Sequence, residues 1–246
     1  MERAWRIVGI IAASVLVSAI LLLSCRRQTP PPSPPDDLRL ASCLGPTDAK
    51  HFAVYLHGVD ERTISDQEHD NRRSLEVIAK ALSLRIALPR ASAPCPHQPS
   101  ELCWGWAFDA SELDAASQAV SSAAASCFGT GRPFGLIGFS NGGYLLTKLL
   151  RTCSLRQRLP GATWMMTIGS AMSHESLKAP PDDLSGCGRL VMLAGTHDQY
   201  NFDPGEALLH ALEAQHADVR AVRFDGGHTV PLEPTRAALA DLLGVP

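Results

Sequence analysis

Beyond its first forty residues the chain alternates short apolar runs with stretches in which apolar residues return every three or four positions. Phe52 to Leu56 is an apolar run of strand length ending at His57-Gly58. Ser74 to Leu82 places Leu75, Ile78, Ala79 and Leu82 on one helical face, and Leu84 to Leu88 predicts a second strand closed by Pro89. A long loop follows. Ser111, with Asp114 three residues on, gives a capping pattern for an Ala-rich helix to about Ser126. The remaining pattern predicts strands over Phe134 to Ile137, Thr163 to Ile168, Leu190 to Ala194 and Val219 to Phe224. Helices are expected from Gly142 to about Leu150, from an Asp203 N-cap and Pro204 to about His216, and from Thr235 to Leu243. Such alternation predicts an α/β fold, a mostly parallel sheet flanked by helices on both faces. No internal repeat and no second domain boundary is visible.

The N-terminus reads differently. Arg3 and Arg6 precede Ile7 to Leu23, an apolar run broken only by two serines and a glycine, as in a secretory n-region and h-region. Leu22-Leu23-Ser24-Cys25 resembles the bacterial lipobox, in which the cysteine is lipidated and becomes the mature N-terminus. Arg26 after it, rather than an aspartate, implies by that resemblance an outer-membrane destination. A single uncleaved transmembrane anchor is the alternative, since about 17 residues is the short end of a membrane span. Either reading puts the rest of the chain outside the cytoplasm. Five prolines within Pro30 to Pro35 favour an extended tether. The expected organisation is therefore a lipoprotein-type signal peptide over 1–24, a lipidated cysteine and tether over 25–37, and a folded domain over 38–246.

Composition adds limits. A hydrophobic fraction of 45% against 19% charged residues excludes wholesale disorder, and a net charge of -3 gives no nucleic-acid footprint. Seven cysteines become one for lipid, Cys25, and six for bridges: Cys43, Cys95, Cys103, Cys127, Cys153 and Cys187. An oxidising compartment allows up to three disulfides among them, in 15 possible pairings. Cys95 with Cys103 is the preferred pair because one Pro-rich loop carries both; Cys153 with Cys187 is a second guess. With no CxxC pair and no cysteine–histidine cluster at ligand spacing, no metal site and no cofactor is expected.

The chemistry-bearing motif is Gly138-Phe139-Ser140-Asn141-Gly142-Gly143, a G-x-S-x-G match between an expected strand and an expected helix. A serine on such a turn projects its hydroxyl above the sheet, and the helix start offers N–H groups to an oxyanion. Downstream, an aspartate follows a strand at Leu193-Ala194-Gly195-Thr196-His197-Asp198, and a histidine follows the last strand at Gly226-Gly227-His228. On these residues the chain from about Leu40 onward resembles the α/β-hydrolase superfamily. The resemblance implies Ser140 as nucleophile, His228 as base and Asp198 as acid, with the N–H groups of Asn141 and Val59, or next Asp60, as oxyanion donors. Asp203 and Asp225 are rival acids, the first read as a helix cap and the second as shaping the His228 turn. His57 is expected to be structural, His197 a loop histidine, and His51, His69, His97, His174, His210 and His216 surface residues.

About 20 residues between the strand at Thr163 to Ile168 and the strand starting at Leu190 leave no room for a large cap. Trp104, Trp106 and Phe108 alternate in the loop from Pro89 to Asp109, and either wall a substrate site or pack the loop onto the domain. Tyr144 is expected to pack inside. The GFSNGG turn and the short core resemble small carboxylesterases and secreted polyhydroxybutyrate-depolymerase- or feruloyl-esterase-like hydrolases. These resemblances imply a serine esterase acting on a small or polymer-derived ester. A binding or scaffolding lipoprotein of the same fold, or a serine peptidase, is the alternative.

Overall fold

Central strands that bury both faces need apolar residues at every position, and two layers of helices to cover them. The computed structural model describes residues 42–61, 65–91, 93–94, 103–106, 112–170 and 183–245. In chain order its elements are β1 (Cys43–Leu44), β2 (His51–Leu56), β3 (Asp60–Glu61), α1 (Asp66–Ala81), β4 (Leu84–Ala87), β5 (Ala93–Pro94) and β6 (Cys103–Gly105). Then follow α2 (Glu112–Phe128), β7 (Phe134–Phe139), α3 (Asn141–Arg151), α4 (Leu155–Arg158), β8 (Ala162–Ile168), β9 (Arg189–Gly195), α5 (Phe202–Ala214), β10 (Asp218–Phe224) and α6 (Leu232–Leu243).

Seven strands form one sheet in the order β1-β4-β2-β7-β8-β9-β10, parallel throughout except for β1. The side-chain period of two sorts each strand between two cores. On one face Val54, Leu56 and Leu136 pack with Val120 of α2, Leu145 and Leu149 of α3 and Leu208 and Leu212 of α5. On the other, Ala53, Tyr55, Ile137 and Phe139 pack with Leu75 and Ile78 of α1 and Leu239 of α6. From β2 the chain steps to β4 on one side and later to β7 on the other, so the direction of winding reverses between β2 and β7. Crevices at such a reversal, outside the carboxyl ends of the strands, are where open α/β sheets hold ligands.

Several expectations shift. Helix α1 starts at Asp66, two turns before the apolar periodicity begins, with the Ser65 hydroxyl accepting the Glu68 N–H at 3.2 Å. The added turns bury polar side chains: Arg72 Nε donates to Glu68 Oε1 at 2.8 Å and Tyr55 Oη to Glu68 Oε2 at 2.9 Å. His69 is carried inward with them and is buried, not a surface residue. Helix α5 is preceded by Asn201 as its N-cap position, which moves Asp203 into the first turn, where a carboxylate still complements the helix dipole. Strand β1 and the small antiparallel sheet β3-β6-β5 were not expected; two or three residues are too few to show a period.

Among the described residues two disulfides join Cys43 to Cys127 and Cys153 to Cys187. The second matches the weaker expectation, and the first brings together residues 84 apart in sequence, which no local signal announces. Cys95, of the preferred Cys95–Cys103 pair, lies outside the described residues, as do Phe108, His97, His174, the leader, Cys25 and the tether.

Candidate active site

Ser140 follows β7 immediately and precedes α3. Its backbone sits at φ 50° and ψ -116°, a region that L-residues avoid at a cost of about 1–3 kcal/mol. The turn is held by its neighbours: Ser140 N–H donates to Ile168 O at 3.0 Å, and Ser140 O accepts from Gly143 N and Tyr144 N. Gly142 explains why no side chain is tolerated one step into the helix. A Cβ there would stand 2.2 Å from the carbonyl oxygen of Leu56, because α3 enters directly against the end of β2.

At that end of β2, His57 is buried and organises four segments. Its Nε2 accepts the Ala91 N–H at 3.0 Å, which leaves Nδ1 to donate to Gly58 O at 2.6 Å. Its carbonyl accepts from Gly142 N at 3.1 Å and from Trp106 Nε1 at 3.0 Å. The Asn141 side chain closes the set, with Oδ1 accepting the Trp106 N–H at 2.5 Å. The structural expectation for His57 matches this arrangement. Trp106 is buried within the core and tied to His57, the arrangement of a residue that packs onto the domain. Val59 lies just beyond Gly58 with its side chain exposed, and the Asp60 backbone is engaged in β3, opposite Trp104 of β6.

Across the same end of the sheet, Asp198 is buried in the turn after β9. His228, after β10, places Nδ1 at 2.7 Å from Asp198 Oδ2. The His228 ring lies 4.8 Å from the ring of Phe139, the residue next to Ser140. A Cβ at Gly169, whose φ is +54°, would reach 3.0 Å from His228 Nδ1, so the backbone after β8 closes against the imidazole. The structure thus brings Ser140, Asn141, Asp198 and His228 to the carboxyl ends of β7, β9 and β10. The rival acids stand apart. Asp225 is exposed, beside the also exposed His197 at 3.5 Å, and Asp203 is on the exposed side of α5.

Four further residues brace this cluster. Gln67 Nε2 donates to His228 O at 2.7 Å, and Asn71 Oδ1 accepts the Val230 N–H at 3.0 Å, so α1 holds the histidine loop by its backbone. Asn201 Nδ2 reaches both oxygens of Asp198 at 3.1 Å. Tyr144, half-buried on α3, donates from Oη to Asn201 Oδ1 at 3.2 Å. Burial first, and then the Asp198 charge, push the Tyr144 hydroxyl above its ordinary range, so it stays a donor. Asn201 could have been suspected as a polar residue three positions after the acid. Gln67 and Asn71 could not, being about 160 residues from what they hold.

Among the described residues no group of three or more His, Cys, Asp or Glu side chains could hold a metal ion. No protein-family model matches the chain, and no curated protein does. Solved structures do. Zea mays acyl-protein thioesterase 2 is 18% identical with a TM-score of 0.61, over 82% of this chain and 96% of that one. The Bacillus cereus carboxylesterase is 18% identical with a TM-score of 0.56, over 80% and 89%. A carboxylesterase from Mesorhizobium loti is 20% identical with a TM-score of 0.52, over 80% and 89%. With its seven-stranded, mostly parallel sheet between two layers of helices, the chain has the α/β-hydrolase fold.

Proposed function

We propose that the chain is an exported, lipid-anchored serine hydrolase that cleaves a carboxylic ester through an acyl-enzyme. The observation that carries this reading is the strained Ser140 turn at the same end of the sheet as a paired His228 imidazole and buried Asp198 carboxylate. His228 Nε2 takes the Ser140 proton as Oγ attacks the carbonyl carbon, and returns it to the departing alcohol. Water then attacks the acyl-serine with His228 again as base, releasing the acid and restoring the serine. Asp198 fixes the tautomer by accepting from Nδ1 and stabilises the imidazolium. The N–H groups of Asn141 and Val59 receive the oxyanion, and loss of one such donor costs about 3–4 kcal/mol in the transition state.

Esters and thioesters are the substrate classes named for the similar solved structures, which supports an ester over a peptide bond here. Export is supported by the leader and by the two disulfides, which persist in oxidising compartments. Substitution Cys25→Ala should release the protein from membranes or block its processing.

A fluorophosphonate probe tests the chemistry directly. Wild-type protein with intact disulfides should label strongly and Ser140→Ala not at all. Absence of labelling in folded wild type would favour a binding or scaffolding role instead. An ester panel should show preference for modest acyl groups, and a sharp preference for very long chains would contradict an uncapped site.

A further inference from the structure

The charge on Asp198 is shared among more donors than a base-orienting carboxylate needs. Oδ2 accepts from His228 Nδ1 at 2.7 Å and from Asn201 Nδ2 at 3.1 Å. Oδ1 accepts from Asn201 Nδ2 at 3.1 Å, from Asn201 N at 3.2 Å and from Tyr200 N at 3.3 Å. The two amide hydrogens of Asn201 therefore take one oxygen each, and the amide lies across the carboxylate. Asn201 Nδ2 is also 3.3 Å from His228 Nδ1, so the amide sits beside the acid–base contact itself.

An amide turned the other way would set its oxygen against a buried carboxylate. The carboxylate therefore selects the observed orientation, and Tyr144 anchors the far end of the amide by donating its hydroxyl to Oδ1. Tyr144 stands on α3, one turn beyond Ser140, whose carbonyl oxygen accepts the Tyr144 N–H. The chain Tyr144–Asn201–Asp198–His228 consequently joins the nucleophile's helix to the base through side chains alone.

We infer that Asn201 and Tyr144 are positioning residues: Asn201 fixes the plane of the Asp198 carboxylate, and Tyr144 fixes Asn201 with reference to the serine turn. This rests on the triad reading above. Both act through Asp198 and His228. Their contribution is to keep the His228 ring in register with Ser140, where a misplacement of about 1 Å can cost about a hundredfold in rate.

The test uses the full chain, a chromogenic ester and proton NMR of the His228 Nδ1–H signal, with thermal unfolding as the folding control. Asn201→Ala should lower kcat about tenfold to a hundredfold, leave KM within about threefold, and broaden the Nδ1–H signal. Tyr144→Phe should cost several-fold in the same direction, and should cost nothing further when Asn201 is already alanine. Wild-type kcat with a sharp Nδ1–H signal in Asn201→Ala overturns the inference, as does full additivity in the double variant. If Asn201→Ala does not fold, Tyr144→Phe decides, since it removes one hydroxyl and keeps the ring; wild-type kcat and signal in it overturn the inference. The NMR arm needs no turnover. A wild type that hydrolyses no ester would end the hydrolase reading while that arm still judged the clamp.

Discussion

Charged pairs occupy two regions of this molecule under opposite conditions. Beneath the histidine loop, Glu68 and Arg72 are both buried, paired at 2.8 Å, and share Glu68 with the Tyr55 hydroxyl. Along the β10 edge, Arg220 meets Asp241 and Arg223 meets Glu206, both at 2.5 Å and with about half of each arginine exposed. The distances alone would rank the outer pairs higher. Solvent reverses the ranking. An exposed pair exchanges water for a partner at little gain, whereas removing one member of a buried pair strands the other in a medium that cannot solvate it. Burial, and the Glu68 charge, also push the Tyr55 hydroxyl well above its ordinary range, the mark of a site where ionisation is costly.

That contrast can be broken or sharpened by substitution. Glu68→Gln should destabilise the protein by about 3–5 kcal/mol in urea unfolding, because Arg72 then faces a neutral amide inside the fold. Loss below about 1 kcal/mol would place the pair in the same class as the surface ones. Asn71→Ala, which leaves the Val230 N–H without its acceptor, should cost about 1–3 kcal/mol and loosen the histidine loop, seen as faster hydrogen exchange there. Ser140→Gly should be more stable than Ser140→Ala by about 1 kcal/mol, since only glycine occupies that backbone region without strain; equal stabilities would mean the turn stores none. Arg220→Ala should fall within about 1 kcal/mol of wild type, and any loss should shrink in high salt. The smallest effect is a pH effect. The Arg223 hydrogen bond, ahead of its charge, holds Glu206 below the usual carboxylate range. Its contribution is present at neutral pH and fades as pH falls through that depressed value, so Glu206→Gln should lower Tm slightly at pH 7, by an amount that shrinks steadily as the solution is acidified.

What the sequence discloses follows from how far apart the interacting residues are. Every long strand and helix is legible, because periodicity is local and each apolar run sits on one face or the other. The order Ser140, Asp198, His228 is legible too, since each follows a strand and strand ends gather at one end of a parallel sheet. The first two turns of α1 are not. Asp66 to Arg73 is polar throughout, and only the tertiary pairing of Glu68 with Arg72 and Tyr55 makes it a buried helix face. Trp106 is a similar case: an i, i+2 aromatic pattern is compatible with a wall or a plug, and the choice is made by the His57 carbonyl it meets. The Cys43–Cys127 bridge joins β1 to the end of α2, elements with no sequence relation to one another.

That bridge bears on how the sheet ends. An open sheet presents two rows of unpaired backbone groups, each a template onto which a strand from another molecule could add. Here the β4 side is closed by a two-residue antiparallel strand, too short to seed a ladder and fastened to α2 by Cys43–Cys127. On the β10 side Arg220 and Arg223 reach to opposite faces of the strand, to Asp241 and Glu206, so an incoming strand would meet two half-exposed ion pairs. Among the described residues, one flank of the sheet is guarded by a short, covalently fastened strand and the other by charge.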